Sequence, residues 1–260
     1  MPTAGDTKVS QILGLIDKTV DVQAFRELHW AGNFNDYLKI VTDDPRVARN
    51  AFQRLYDMIL SYGQQDFTEH RETLTRFHFF KDPFGNGKDA IYGIERSLVS
   101  LVHSLKSAAH GYGTDHRILL LHGPVGSSKS TMVRLLKKGL EAYSRTKEGS
   151  LYTFGWKDEG KTDSWSDCPM HEEPLKLVPH EAREAVLREL NKSAKGGYEV
   201  RVEGDLCPAC RRTCNDLLAK YRGDWHKVVE QVRVRRLLLS EKDRIGIGTF
   251  QPKDEKNQDS

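Results

Sequence analysis

The stretch HGPVGSSKST, His122 to Thr131, constrains this chain more than any other. It approaches the pattern Gly, four residues, Gly-Lys-Ser/Thr, with Gly123, Lys129 and Ser130 in place and Ser128 where the second glycine usually stands. Such a loop works because successive backbone N–H groups and a helix N-terminus converge on a phosphate. The lysine adds charge across the β- and γ-phosphates, and the hydroxyl after it ligates Mg²⁺. Lys129 and Ser130 take those roles here, while Gly123 and Gly126 supply permissive backbone. Ser128 is harmless if its φ is negative, as in the first turn of a helix, and costly if its φ is positive. The expectation is a tolerated serine whose hydroxyl accepts a backbone N–H at the helix start.

The flanks of the loop support this reading. RILLLHG, Arg117 to Gly123, is an uninterrupted apolar run of the kind found in central parallel strands. MVRLLKKGLEAYSR reads as a helix with Val133, Leu136 and Leu140 inward, and LYTFGW, Leu151 to Trp156, as the next strand. Strand, loop, helix, strand is a right-handed βαβ unit and predicts a parallel sheet with helices on both faces. Hydrolysis further needs an acidic residue at the end of an apolar strand to hold Mg²⁺ and orient water. RRLLLSEKD offers Glu241 and Asp243. Ser240 interrupts that run and its flanks read as helical, so no catalytic acid is assigned.

Elsewhere the chain reads mostly as helix. In DDPRVARNAFQRLYDMILSYG, Asp44 is an expected N-cap and Pro45 the first helical residue. Ala48, Ala51, Phe52, Leu55 and Ile59 form one stripe, and Gly63 ends the helix. Residues 1–65 are expected to form a helical N-terminal unit whose first twenty residues fold only partly. Leu98, Leu101, Val102, Leu105 and Ala109 mark a second amphipathic helix. Beyond Trp156 the expectations are a helix in HEAREAVLRELN, a short strand in GGYEVRV, a helix in KYRGDWHKVVEQVRVRRLLLS and a final strand in DRIGIGTFQP. The basic runs Arg211–Arg212 and Arg233, Arg235, Arg236 read as solvated faces.

Cys168-Pro-Met-His171 and Cys207-Pro-Ala-Cys210 are two pairs with two-residue gaps. That spacing lets both side chains of a pair reach one tetrahedral metal. Cys168, His171, Cys207 and Cys210 would make a closed Cys₃His zinc set, with Cys214 as a spare that could replace His171. The other reading is reduced cysteines buried in turns. A redox role for Cys207 and Cys210 lacks the strand–helix setting of thioredoxins.

Charge is nearly balanced, 40 basic against 37 acidic residues for a net +3, which gives no drive toward nucleic acid or an anionic membrane. No apolar run approaches the roughly 20 residues needed to span a bilayer. The N-terminus has no basic start followed by an apolar core, so it is no secretory signal. The expected compartment is the cytoplasm, where cysteines stay reduced.

HWAGNFNDYLKIV, NAFQRLYDMILSYG, LLLHGPVGSSKSTMVRLLKKGLEAYSRT, CPMHEEPL, LCPAC and SEKDRIGIGTFQPKDEKNQDS together resemble the PrkA family of bacterial serine protein kinases, from about Trp30 to Ser260. The resemblance includes the serine in place of the second loop glycine. It implies an α/β P-loop NTPase module of the AAA type over 66–260, incomplete at its C-terminus, with a Cys/His-bearing insertion at about 157–215. ATP would be held by Gly123, Pro124, Val125, Gly126, Ser127, Ser128, Lys129, Ser130 and Thr131, with Mg²⁺ as cofactor. A homo-oligomeric ring and phosphorylation of a protein serine by the parent protein are also implied. Family members are more than twice this length, so the hydrolytic acid, sensor and arginine positions are expected beyond Ser260. Neither His-Arg-Asp nor Asp-Phe-Gly occurs in the chain. The family's ATP-dependent protease or remodelling role is the alternative, and a nucleotide-binding fragment without turnover is a third reading.

Overall fold

The computed structural model describes residues 21–69, 71–158, 160, 164–194 and 197–248. The first twenty residues, expected to fold only partly, and the end of the expected final strand lie outside them. Asp21 caps helix α1 (Val22–Leu28), strand β1 follows (Ala31–Asn33), and Asn33 with Asp36 closes a capping box on α2 (Phe34–Asp43). Asp44 and Pro45 do start a helical segment, but only a 3₁₀ turn over Pro45–Ala48. The α-helix restarts at α3 (Ala51–Ser61), because the Asn50 and Gln53 side chains satisfy each other's backbone N–H groups in a second capping box. The single long helix expected from Asp44 is therefore two pieces.

A hairpin follows, β2 (Gln64–Glu69) against β3 (Glu72–Phe77), then α4 (Glu95–Ala109) and α5 (Lys129–Ser144). Next come β4 (Tyr152–Lys157), β5 (Trp165–Asp167), α6 (His180–Asn191), α7 (Pro208–Lys220), α8 (Trp225–Val229) and β6 (Val232–Arg236). The main sheet has the order β1-β6-β4-β5, and every pair in it is antiparallel.

That topology corrects the expected parallel βαβ unit. β4 forms where LYTFGW predicts a strand, yet both of its edges are taken, one by β6 and the other by β5. It has no free edge to offer the run 117–123. Among the described residues that run pairs with nothing, and Ile118 and Leu120 are 94% and 84% exposed. The helix expected through VRVRRLLLS is also corrected. Val232 and Val234 are buried and Arg233 is exposed, which is the period of a strand. No strand forms at 197–202, where Val200 and Val202 are buried in irregular backbone.

Two main hydrophobic clusters result. One joins Phe34, Tyr37 and Val41 of α2 to Phe154 and Val234 of the sheet and to Cys168, Cys207 and Cys210. The N-terminal segment thus contributes a strand and a helix to the same core as residues 152–234. The other cluster packs Met58 and Ile59 of α3 and Leu98, Val102 and Leu105 of α4 against Met132 and Leu135 of α5. Helix α5 buries Met132, Leu135, Gly139 and Tyr143, one position off the stripe read from sequence. Val133 is 40% exposed, while Leu136 and Leu140 are half-buried.

Three buried arginines fix the far end of α5. A helix leaves its last carbonyls unpaired and carries partial negative charge there. Arg236 donates to the Ser144 and Thr146 carbonyls at 3.1 and 2.6 Å, and Arg49 donates to the Glu148 carbonyl and pairs with Asp57. Arg54 donates to Gly149 and Ser150 at 2.8 and 3.1 Å and to Val47 at 3.1 Å. Arg236 is buried, which corrects its assignment to a solvated face. Arg235 is part-exposed and grips Asp167 with two bonds of 3.1 and 2.8 Å.

Candidate nucleotide-binding site

Helix α5 begins at Lys129, directly behind the loop. Ser128 sits there with φ 59° and ψ 15°, the left-handed region, and its side chain caps nothing. The expected hydroxyl cap is therefore corrected, since Ser128 accepts no helix N–H, and its φ falls on the costly side of the condition set above. The left-handed conformation costs a residue with a Cβ roughly 1 kcal/mol or more. Ser128→Gly is expected to raise stability by about 0.5–1 kcal/mol after allowing for glycine's extra unfolded-state entropy. Thermal unfolding would read this; a loss of stability would mean the serine side chain contributes more than its strain.

The same geometry leaves the amides of the first turn of α5 without a side-chain cap. Uncapped helix N–H groups at the positive end of a helix are donors for an anion. Gly126 has φ 84°, and a Cβ built on it meets no atom within 4 Å, so the turn opens to solvent. A Cβ on Gly123 would lie 2.8 Å from Ser127 Oγ. Glycine at 123 lets the loop close on itself.

Lys129 curls back into this turn. Its Nζ donates to the Gly123 and Pro124 carbonyls at 2.7 and 2.6 Å and to Ser127 Oγ at 3.0 Å. All three acceptors are neutral oxygens, and a phosphate oxygen would make a stronger, charge-assisted bond. Ser130 is exposed on the same first turn. A cleft of about 370 Å³ adjoins the loop, lined by Ser97, Ser100 and Ser104 of α4, by Leu121 and by Lys129. An uncapped helix start, an open glycine turn and a lysine held only by neutral oxygens fit a nucleotide's phosphates.

The acidic candidates read from sequence do not join this site. Glu241 pairs with Lys137 at 2.5 Å and its amide donates to Glu141 at 2.6 Å. Lys137 is eight residues beyond Lys129, about 12 Å along the helix. Asp243 accepts from Ser240 Oγ at 2.8 Å, which closes a local turn.

The cysteines meet elsewhere, in the sheet cluster. Cys168 follows β5, and its amide donates to the Phe154 carbonyl at 2.9 Å. Cys207 is the N-cap of α7, and its sulfur accepts the Cys210 N–H at 3.4 Å. The Cys168 and Cys207 sulfurs are 4.0 Å apart. A hydrogen bond from the Cys210 thiol holds the Cys168 thiol below its ordinary value, and the same contact pushes Cys210 up. The fourth donor is not His171. Its left-handed backbone, φ 50°, turns the chain so that the next side chain, Glu172, joins the three sulfurs, with all four donor atoms within 4.8 Å of one another. His171 Nδ1 is buried without a partner, and burial beside Arg235 holds its pKa below the ordinary value. Cys214 is half-buried and outside the group. Sequence reasoning missed Glu172 because a pair of adjacent acids after a histidine carries no spacing signal of its own.

Comparison with known proteins agrees with the loop. The chain is 37% identical over 243 residues to the protein named ATP-dependent protease PrkA of Bacillus subtilis (strain 168), covering 92% of this chain and 33% of that protein. It thus spans about a third of that relative's length. An uncharacterised protein encoded in the gldA 5′ region of Geobacillus stearothermophilus is 30% identical over 91 residues, covering 35% of this chain and 80% of that protein. No solved structure matches the chain. Among the described residues no helix is long and apolar enough to cross a membrane. Residues 32–260 match the family described as the PrkA AAA domain, and with the loop, helix and 37% identity in agreement, the chain belongs to that family of α/β P-loop NTPase modules.

Proposed function

We propose that this chain is the ATP·Mg²⁺-binding module of a cytoplasmic, ring-forming PrkA-type protein, and that ATP turnover there drives work on a protein substrate. The observation that carries the reading is the uncapped start of α5 with Lys129 curled onto neutral loop oxygens. Residues 123–131 would hold the phosphates, and Ser130 would ligate Mg²⁺. Bound ATP supplies the phosphoanhydride whose cleavage releases energy. The chain's part is to orient those phosphates through its backbone N–H groups and Lys129. The boundary near residue 65 and the insertion at about 157–215 belong to the same proposal, as does the absence of nucleic-acid and membrane partners.

Two kinds of work fit. The name of the Bacillus relative supports ATP-dependent proteolysis, while the resemblance to serine protein kinases implies phosphorylation of a protein serine. The longer PrkA-type protein, incubated with casein and γ-labelled ATP, separates them. Proteolysis predicts casein fragments that depend on ATP and on Lys129, with no labelled serine. Label on casein serine without fragments would replace that reading with the kinase one.

A further inference from the structure

We infer that Cys168, Glu172, Cys207 and Cys210 form a closed tetrahedral site for a structural Zn²⁺, separate from the nucleotide site. The three cysteines are buried at 0%, 7% and 2% exposure. Their sulfurs and one Glu172 oxygen lie within 4.8 Å of one another, with Cys168 to Cys207 at 4.0 Å and Cys168 Sγ to Glu172 Oε2 at 3.8 Å. A tetrahedral zinc with bonds of about 2.3 Å to sulfur requires sulfurs about 3.8 Å apart. The cluster is thus close to metal-bound spacing and needs only small side-chain shifts. Three soft sulfur donors select zinc over Mg²⁺ or Ca²⁺, which prefer oxygen cages. All four positions are filled by protein, so the site has no open position for catalysis.

The surroundings are arranged for a negatively charged ligand set. Glu172 is oriented from two sides: its Oε2 accepts the Cys207 N–H at 2.8 Å, and its Oε1 pairs with Lys176 at 3.0 Å. Lys176 also donates to the Asp205 carbonyl at 3.3 Å, which ties it to the segment before α7. The start of α7 directs its positive end at Cys207 and Cys210. The indole N–H of Trp156 is buried facing the Cys210 sulfur. A metal-bound sulfur is a better acceptor than a thiol and would strengthen that contact. The metal would link the end of β5 to the start of α7, cross-linking the insertion to the sheet. The loop at 123–131 leads into α5, whose Met132 and Leu135 belong to the other main cluster, so this is not the Mg²⁺ position.

The test is metal content of the full 260-residue chain, purified anaerobically without a histidine tag. About one zinc per chain is expected, falling below about one-tenth in Cys207→Ser. Glu172→Gln should weaken zinc at least tenfold in chelator competition, and His171→Ala should leave it unchanged. Co²⁺ substitution reads the site without relying on a variant that folds: sulfur-to-cobalt charge-transfer absorption is expected on adding Co²⁺ to the metal-stripped wild type. The proposal is overturned if the wild type holds no zinc even after supplementation and Co²⁺ gives no such band. It is equally overturned if Cys207 and Cys210 are found as a native disulfide, or if His171→Ala loses zinc while Glu172→Gln keeps it.

Discussion

Lys129→Ala lowers ATP affinity at least about a hundredfold while leaving the fold intact. Nothing in the packing opposes the change, since the lysine amine touches only Gly123, Pro124 and Ser127 oxygens. Those carbonyls lie in an exposed turn and can bond water instead. What is lost is a cation aimed into the loop, and a charged hydrogen bond to phosphate is roughly twice as strong as a neutral one. Calorimetric titration with ATP reads the affinity, and far-ultraviolet circular dichroism reads the fold. Binding within threefold of wild type would show that the phosphates do not sit on this lysine.

The second large effect lies at the opposite end of the same helix. Arg54→Met lowers stability by about 3–5 kcal/mol, because buried carbonyls left without a donor cost about 1–3 kcal/mol each. Arg54 is buried and bonds only backbone carbonyls, and desolvation holds its guanidinium down at about 10. Its carbonyl partners, Val47, Gly149 and Ser150, come from the 3₁₀ turn and from the connection between α5 and β4. The residue therefore links the two main hydrophobic clusters. Arg54→Lys should rescue little, since one compact ammonium cannot reproduce a planar fork that serves both sides. Urea unfolding midpoints decide it, and a loss under about 1 kcal/mol would mean that water replaces those bonds.

Lys129, its loop and the helix behind it are local features, set by short-range backbone chemistry, and they stand where the motif puts them. The amphipathic face of α4 is equally local, and Leu98, Val102, Leu105 and Ala109 are buried on it. Arg54 and Arg236 gave no such signal, because apart from Val47 the carbonyls that Arg54 bonds lie 95 and 96 residues away, and those that Arg236 bonds lie 90 or more away. Strand β6 was hidden by its neighbourhood. VRVRR alternates with period two, but it follows the short helix α8 and precedes Leu237–Leu239, so the whole stretch mimics a helical pattern. The run 117–123 shows the converse. Its apolar composition suits a buried strand, but a strand needs a free neighbouring edge, and β4 has none. Glu172 enters the cysteine group through one left-handed residue, His171, which sequence spacing does not reveal.

On the proposed function, the open turn at Gly126 and the uncapped start of α5 hold the phosphates of ATP. Titration of the wild-type chain with ATP, with Mg²⁺ present and then removed by chelation, decides this. The structure predicts saturable binding at one nucleotide per chain, weakened when Mg²⁺ is removed. Absence of saturable binding by a folded chain in the presence of Mg²⁺ would contradict it.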